Sequence, residues 1–236
     1  MMGKLLTLEG LDGSGKQTQA GLLADALTKS GIACRRVSFP DYAQPSSVLV
    51  KMYLNGEFGT SPQAVNAYAA SSFFAVDRFA SYQKFWKDSY AAGELILADR
   101  YTTSNMVYQM PKLPRAEWDN FLQWLMDYEY KRLMLPKPDL TVFLDMPATA
   151  SESLLEKRYS GDESKKDIHE RNAGFQNDCR EAALYTARKL GWVRVSCVEG
   201  SRLKTPQEIH EELLCAVRET GLLQTDKISN DLKGAF

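Results

Sequence analysis

Apolar and polar positions follow two rhythms along this chain. Leu5-Leu6-Thr7-Leu8, Leu95-Ile96-Leu97-Ala98 and Leu140-Thr141-Val142-Phe143-Leu144 are short, nearly unbroken apolar runs, the form of strands covered on both faces. Each leads into an acid: Glu9, Asp99 and Asp145. Between the first two runs, Ala20, Leu22, Leu23, Ala26 and Leu27 fall at helical spacing and Gly31 ends the stretch, which predicts a helix over 17–30. A second strand is expected from Cys34 to Phe39, stopped by Pro40, and a short helix over 46–55. One long helix is expected over 63–90, another over 115–135 ended by Pro136 and Pro138, and a third over 148–158. A helix over 170–190, a last strand from Trp192 to Cys197 and a helix over 205–220 complete the pattern.

Strands that alternate with helices predict an α/β fold: a parallel five-stranded sheet covered by helices on both faces, three layers in all. Ligands of such sheets lie beyond the carboxyl ends of the strands, so the loops after Glu9, Phe39, Asp99 and Asp145 should ring one crevice. The polar stretch over 159–168 has little to bury and is a candidate lid. A single domain is expected over 1–223, with a polar tail at 224–236.

With 236 residues and 44% hydrophobic content, the chain can fill one full core. Its net charge of −1 gives no global attraction to nucleic acid or to an anionic membrane, so neither is expected as a partner. Cys34, Cys179, Cys197 and Cys215 are far apart and form no CxxC pair, which argues for reduced thiols and a cytoplasmic protein. The first strand starts too early for a leader segment, and no long uncharged run follows. His169 and His210 are too few for a histidine metal site, and each is expected on a helix surface.

The first strand runs into Gly10-Leu11-Asp12-Gly13-Ser14-Gly15-Lys16 and then into a helix. This is GxxxxGK, the P-loop of nucleotide triphosphatases. Its glycines let backbone N–H groups turn inward, the helix offers its positive end, and Lys16 reaches the outer phosphates. A nucleotide polyphosphate is the expected guest. Gln17 stands where many such loops place a magnesium-binding hydroxyl, so the metal must be held otherwise. Thr18 can offer its hydroxyl to an inner phosphate, and Lys16-x-Thr18-Gln19 is similar to nucleoside monophosphate kinases.

Three more segments follow in order: Phe39-Pro40-Asp41-Tyr42, Phe73-Phe74-Ala75-Val76-Asp77-Arg78, and Asp99-Arg100-Tyr101-Thr102-Thr103-Ser104-Asn105 with Tyr108-Gln109 behind it. Together with Gly-Leu-Asp-Gly-Ser-Gly-Lys-Gln-Thr they resemble the thymidylate kinase family, P-loop kinases that move the γ-phosphoryl of ATP to dTMP. The resemblance runs from Leu5 to about Cys197. It implies that Gly10, Gly13, Ser14, Gly15, Lys16, Gln17, Thr18 and Arg158 bind ATP, with Arg158 against adenine. It implies that Phe39, Pro40 and Tyr42 line the thymine side of a dTMP pocket, with Gln109 among the dTMP-binding residues. Phe74, four positions before Arg78 and on its helix face, would stack on thymine while Arg78 donates to O4; taken alone the spacing favours a core Phe and a surface Arg, and the other segments reverse that. Arg100 would hold the acceptor phosphate, Asp12 would take the 3′-hydroxyl, and Asn105 and Tyr108 would lie near the deoxyribose.

The same resemblance implies Mg2+ as the cofactor of the ATP donor, held through water by Asp99 and by Glu170 of a D-x-x-E element that begins at Asp167. Asp99 reads equally as a helix cap. Some family members place an arginine after the P-loop acid, where this chain has Gly13; those without it draw cations from the lid, and Lys165 and Lys166 fit that type, although a Lys-Lys pair is also ordinary solvated surface. Family members pair as homodimers, and the alanine-rich face of the 63–90 helix is the expected seam. Two alternatives stay open: a kinase of the same fold acting on dUMP or a deoxynucleoside, and a nucleotide sensor without turnover.

Overall fold

In a computed structural model the chain is described over residues 2–160, 162 and 166–222, without the side chains of residues 148, 152, 153, 157, 158 and 173. Strand β1 (Lys4–Gly10) leads through the P-loop to α1 (Lys16–Lys29) and then to β2 (Cys34–Ser38). Next come α2 (Val48–Leu54), α3 (Ala67–Ser81), a π-helical turn (Tyr82–Trp86) and α4 (Lys87–Ala91). Strand β3 (Leu95–Asp99) is followed by α5 (Thr103–Tyr108), α6 (Trp118–Met126), a second π-helical turn (Asp127–Arg132) and β4 (Leu140–Asp145). The chain then runs through α7 (Ala148–Tyr159), α8 (Ala173–Leu190), β5 (Val193–Ser196), the small hairpin β6 (Val198–Glu199) and β7 (Arg202–Leu203), and α9 (Pro206–Glu219).

Strands β1 to β5 form one sheet in the order β2-β3-β1-β4-β5, every pair parallel. This is the expected α/β architecture. The apolar strands explain it, because Leu5 to Gly10 and Leu140 to Asp145 are buried at every position and need helices on both sides. On one face Leu6, Leu8 and Val142 pack on α1 and α9 through Leu23, Leu27 and Leu213. On the other, Leu5, Ile96 and Ala98 meet Trp86 and Tyr101, and Leu11 and Phe143 meet Phe175 and Cys179 of α8. No helix among the described residues is long and apolar enough to cross a membrane.

The expected long helix over 63–90 is built from pieces. Asn66 accepts the N–H of Ala69 at 2.9 Å and so starts α3 at Ala67, and the π-helical turn after Ser81 shifts the residues that follow. Of the alanines in this stretch Ala67, Ala70 and Ala75 are buried in the core, whereas Ala69 and Ala80 are half-buried and Ala64 is exposed. The exposed stripe of α3 is instead Tyr68, Val76 and Phe79. The hairpin β6–β7 carries no apolar alternation long enough to announce itself in the sequence. The 224–236 tail lies outside the described residues.

Candidate active site

The P-loop closes tightly on itself. Gly13 and Gly15 have φ of 76° and 79°, the left-handed region that a side chain disfavours. A Cβ at Gly13 would also lie 2.7 Å from the carbonyl oxygen of Ser151 on α7, so the arginine that some relatives carry there has no room in this backbone. Lys16 is buried and donates its Nζ to Leu11 O at 2.7 Å and to Ser14 Oγ at 3.4 Å. Burial, then the nearby Arg100 cation, lowers its ammonium to a pKa of about 8. Gln17 and Thr18 are exposed at the start of α1, beside the loop's N–H groups.

Arg100 sits just past β3 with φ of 66°, a strained conformation for a residue with a side chain. The strain aims its guanidinium into the crevice. There Nη1 donates to Glu9 Oε1 at 3.3 Å and to Gly10 O at 3.2 Å, while Nη2 donates to Asp12 and, at 3.1 Å, to Tyr108 Oη. Tyr108 in turn donates to Asp12 Oδ2 at 2.9 Å. Burial would raise the Asp12 pKa, but Arg100, then Lys16 and the Tyr108 hydroxyl, outweigh it and hold the carboxyl at about 2. Glu9 is fully buried and accepts from Thr103 and Ser104 hydroxyls, both at 2.8 Å, and from the N–H of Gly10 at 3.0 Å. It is the inner support of Arg100.

A cleft open to solvent runs from this cluster toward α3. Its walls include Asp12, Phe39, Pro40, Tyr42, Phe74, Arg78, Arg100, Asn105, Tyr108 and Gln109, all of the residues expected for the acceptor. At the far end Arg78 is buried and forked onto Glu129, with Nε to Oε2 at 2.8 Å and Nη2 to Oε1 at 2.6 Å. Phe74 stands edge-on to Tyr53 with centroids 6.2 Å apart. Asp77 pins the loop beneath Pro40, accepting from Asp41 N at 2.8 Å and from Ser46 Oγ at 2.6 Å. Gln109 has its Oε1 buried and without a hydrogen-bond partner among the described residues.

Not every expected residue joins the cleft. Asp99 lies half-buried at the end of β3, outside the cleft wall, where its charge acts on Lys16 and Arg100. Asp145, at the end of β4, is buried in salt bridges with Arg180 at 2.7 Å and Arg194 at 2.5 Å. Glu170 accepts from Tyr159 Oη at 3.0 Å and from Asp167 N at 3.0 Å. Lys166 is half-buried, whereas Lys165 and the side chain of Arg158 lie outside the described residues.

The two histidines are not on the surface. His210 of α9 is buried at 7% exposure, and His169 at 4% reaches the cleft wall. His169 stacks on Tyr108 at 5.3 Å, and its Nε2 lies 2.8 Å from Tyr53 Oη, which also accepts from Lys112 Nζ at 2.7 Å. Burial, then the Lys112 charge, drives the His169 imidazole down to about 3, and burial brings Lys112 down to about 7. Beside them Asp167 is raised to about 7 by burial, then by Asp12 and Glu170. The residues that sequence reasoning missed are Glu9 and Glu129 as supports, Tyr53 with Lys112, and His169 as cleft wall. A strand ending in an acid was the available signal for Glu9.

Lys16 of the P-loop and the nearby Arg100 stand at one end of a cleft that has an aromatic wall and a buried arginine at its other end. The family model for thymidylate kinase matches residues 8–209. The chain belongs to the thymidylate kinase family. It is an ATP-dependent kinase. The thymidylate kinase of Mycobacterium tuberculosis is 30% identical over 191 residues, covering 80% of this chain and 87% of that protein. A probable thymidylate kinase of Thermococcus onnurineus is 28% identical over 214 residues, covering 90% and 96%. Among solved structures, the thymidylate kinase of Candida albicans, described as having broad substrate specificity, superimposes with a TM-score of 0.65 at 26% identity over 94% of this chain and 93% of that one.

Proposed function

We propose that the protein transfers the γ-phosphoryl of ATP to dTMP, giving dTDP and ADP, with dTMP in the cleft between the P-loop and α3. The observation that carries this reading is the cleft itself, which joins Arg100 and Asp12 at the P-loop to Phe74 and Arg78 at its far end. In it the P-loop N–H groups and Lys16 hold the donor phosphates, and Lys16 gives up its contact with Leu11 O to do so. Arg100 grips the acceptor phosphate, and Asp12 and Tyr108 hold the sugar. Phe74 covers one face of the base and Arg78 donates to its edge. Phosphoryl transfer needs positioning and positive charge more than covalent help, and Lys16 and Arg100 supply both on either side of the moving group.

Mg2+ bound here would neutralise charge on the donor phosphates, and the residues present suit an ion that keeps its waters. Among the described residues no group of three acidic, histidine or cysteine side chains converges into a cage. Asp99, at the end of β3 and acting on Lys16 and Arg100, is the carboxylate that would receive the ion's waters, with Glu170 as a second. The 159–168 segment is the lid of one domain over 1–223, and Arg158, Lys165 and Lys166 are the cations it would bring. We place the enzyme in the cytoplasm, supported by four cysteines without disulfides, and as a homodimer through the exposed Tyr68, Val76 and Phe79 of α3. No nucleic acid is expected among its partners.

The experiment that tests the reading measures ADP release with dTMP, dUMP, dCMP, dGMP, AMP and thymidine as acceptors. Saturable turnover with dTMP, well above every other acceptor, is expected. ATP binding without turnover on any of them would overturn it.

A further inference from the structure

Arg78 of α3 and Asn105 of α5 reach the same end of the cleft from different elements, and one group touches both. Glu129, in the π-helical turn over 127–132, is 0% exposed. It accepts Arg78 through both of its oxygens, at 2.8 and 2.6 Å, and accepts Asn105 Nδ2 at 3.0 Å on Oε1. A carboxylate in this role only accepts. The second hydrogen of Asn105 Nδ2 goes to Ser71 O at 3.1 Å, another group that only accepts. The amide orientation is therefore forced, because a flipped Asn105 would set Oδ1 against two acceptors in a buried place.

Oδ1 is then the amide atom that Asn105 has left for the cleft it lines. Arg78 uses three of its five N–H groups, two on Glu129 and one on Tyr101 O at 3.3 Å, and keeps one on each Nη. A donor and an acceptor of fixed polarity result. Their order is set by Glu129 together with Ser71 O, and Glu129 lines no part of the cleft itself.

We propose that Glu129 is a specificity-determining positioning residue: it fixes a donor at Arg78 beside an acceptor at Asn105, so that the site accepts a pyrimidine whose edge carries a carbonyl next to an N–H. Thymine and uracil have that edge in O4 and N3–H. Cytosine presents an amino group and a bare nitrogen there, and both would meet their own kind. The inference rests on the acceptor nucleotide lying in the cleft as proposed above.

The decisive pair of acceptors is dTMP and 5-methyl-dCMP, which share size, sugar and methyl group and differ in that edge alone. In Glu129→Gln the amide can turn a donor toward Asn105, leaving Ser71 O alone to hold the Asn105 orientation against a flip. The KM for dTMP should rise about tenfold or more, as expected for loss of a charged hydrogen-bond support, while the KM for ATP stays within about twofold. The preference for dTMP over 5-methyl-dCMP should fall by at least the same factor of about ten. A merely structural Glu129 would lower activity on both acceptors alike and leave the ratio unchanged, and that result overturns the inference. Glu129→Asp keeps an acceptor-only group and should retain the preference. Should Glu129→Gln fail to fold, the unmodified enzyme still decides the matter: 3-methyl-dTMP, which has no N3–H, should bind about tenfold or more weakly than dTMP, and equal binding overturns the proposal. Failure of dTMP turnover in the unmodified enzyme would instead remove the function proposed above.

Discussion

The two ends of the cleft hold an arginine each, and they hold it differently. Arg78 is 1% exposed and paired with a carboxylate that is 0% exposed, every partner coming from the protein. Arg100 is 15% exposed, strained at φ of 66°, and shared among Glu9, Asp12, Gly10 O and Tyr108. On the proposed reading the Arg78 end, where the base would lie, is already ordered by the protein. At the other end Lys16 rests on its own loop and Arg100 on Asp12, partners that an incoming phosphate would replace. The difference suits the two tasks: a base is read by fixed hydrogen bonds, whereas a transferred phosphoryl group needs charge free to follow it.

The contrast breaks first at Arg78. Arg78→Ala strands Glu129 as a buried charge and should cost about 3–5 kcal/mol of stability, besides raising the KM for dTMP far more than that for ATP. Urea unfolding and steady-state kinetics check both parts, and a stability loss near zero would show that the pair is not the fixed element described. At the other end Lys16→Met should lower kcat by about 10²–10³-fold with melting temperature nearly unchanged, the signature of charge used in the transition state. Arg100→Ala should cost about tenfold or more in dTMP kcat/KM. Its stability loss should be smaller than that of Arg78→Ala, because Glu9 keeps the Thr103, Ser104 and Gly10 donors.

The smallest effect concerns pH. Asp167 has a folded-state pKa raised to about 7 from 3.8, so its favourable contribution is present below pH 3.8 and is lost as pH rises through 7. Asp167→Asn keeps the Oδ1 that accepts the N–H groups of His169 and Glu170. The melting temperatures of the two proteins should coincide near pH 4, and the variant should gain a few degrees by pH 8. Parallel melting profiles across that range would contradict a buried Asp167.

The sheet was legible because apolar strands buried on both faces leave unbroken runs, and the P-loop because three glycines and a lysine leave a fixed spacing. Phe74 and Arg78 were legible as one helix face. Glu129 was not, for two physical reasons. It lies 51 residues from Arg78, so no local spacing joins them. It also falls in a π-helical turn, where the wider winding rotates side chains off the faces that a 3.6-residue period assigns, so an acid in a polar stretch turns inward. His169 was hidden by its polar neighbours, since the burial comes from Tyr53 and Tyr108, residues remote in sequence. Asp145, alike in form to Asp99, could not be told apart from it without knowing that Arg180 and Arg194 stand beside it.

The bare backbone at Gly13 leaves nothing compressible between the phosphate loop and the first turns of α7, where Ser151 also donates its hydroxyl to Asp12 O. The Ser151 carbonyl, its hydroxyl and Leu155 Cγ fill the space that a side chain at Gly13 would need. On the proposed reading a nucleotide that shifts the loop would push on the start of α7, and a bulkier residue grafted at Gly13 would wedge the two apart instead of adding a useful charge.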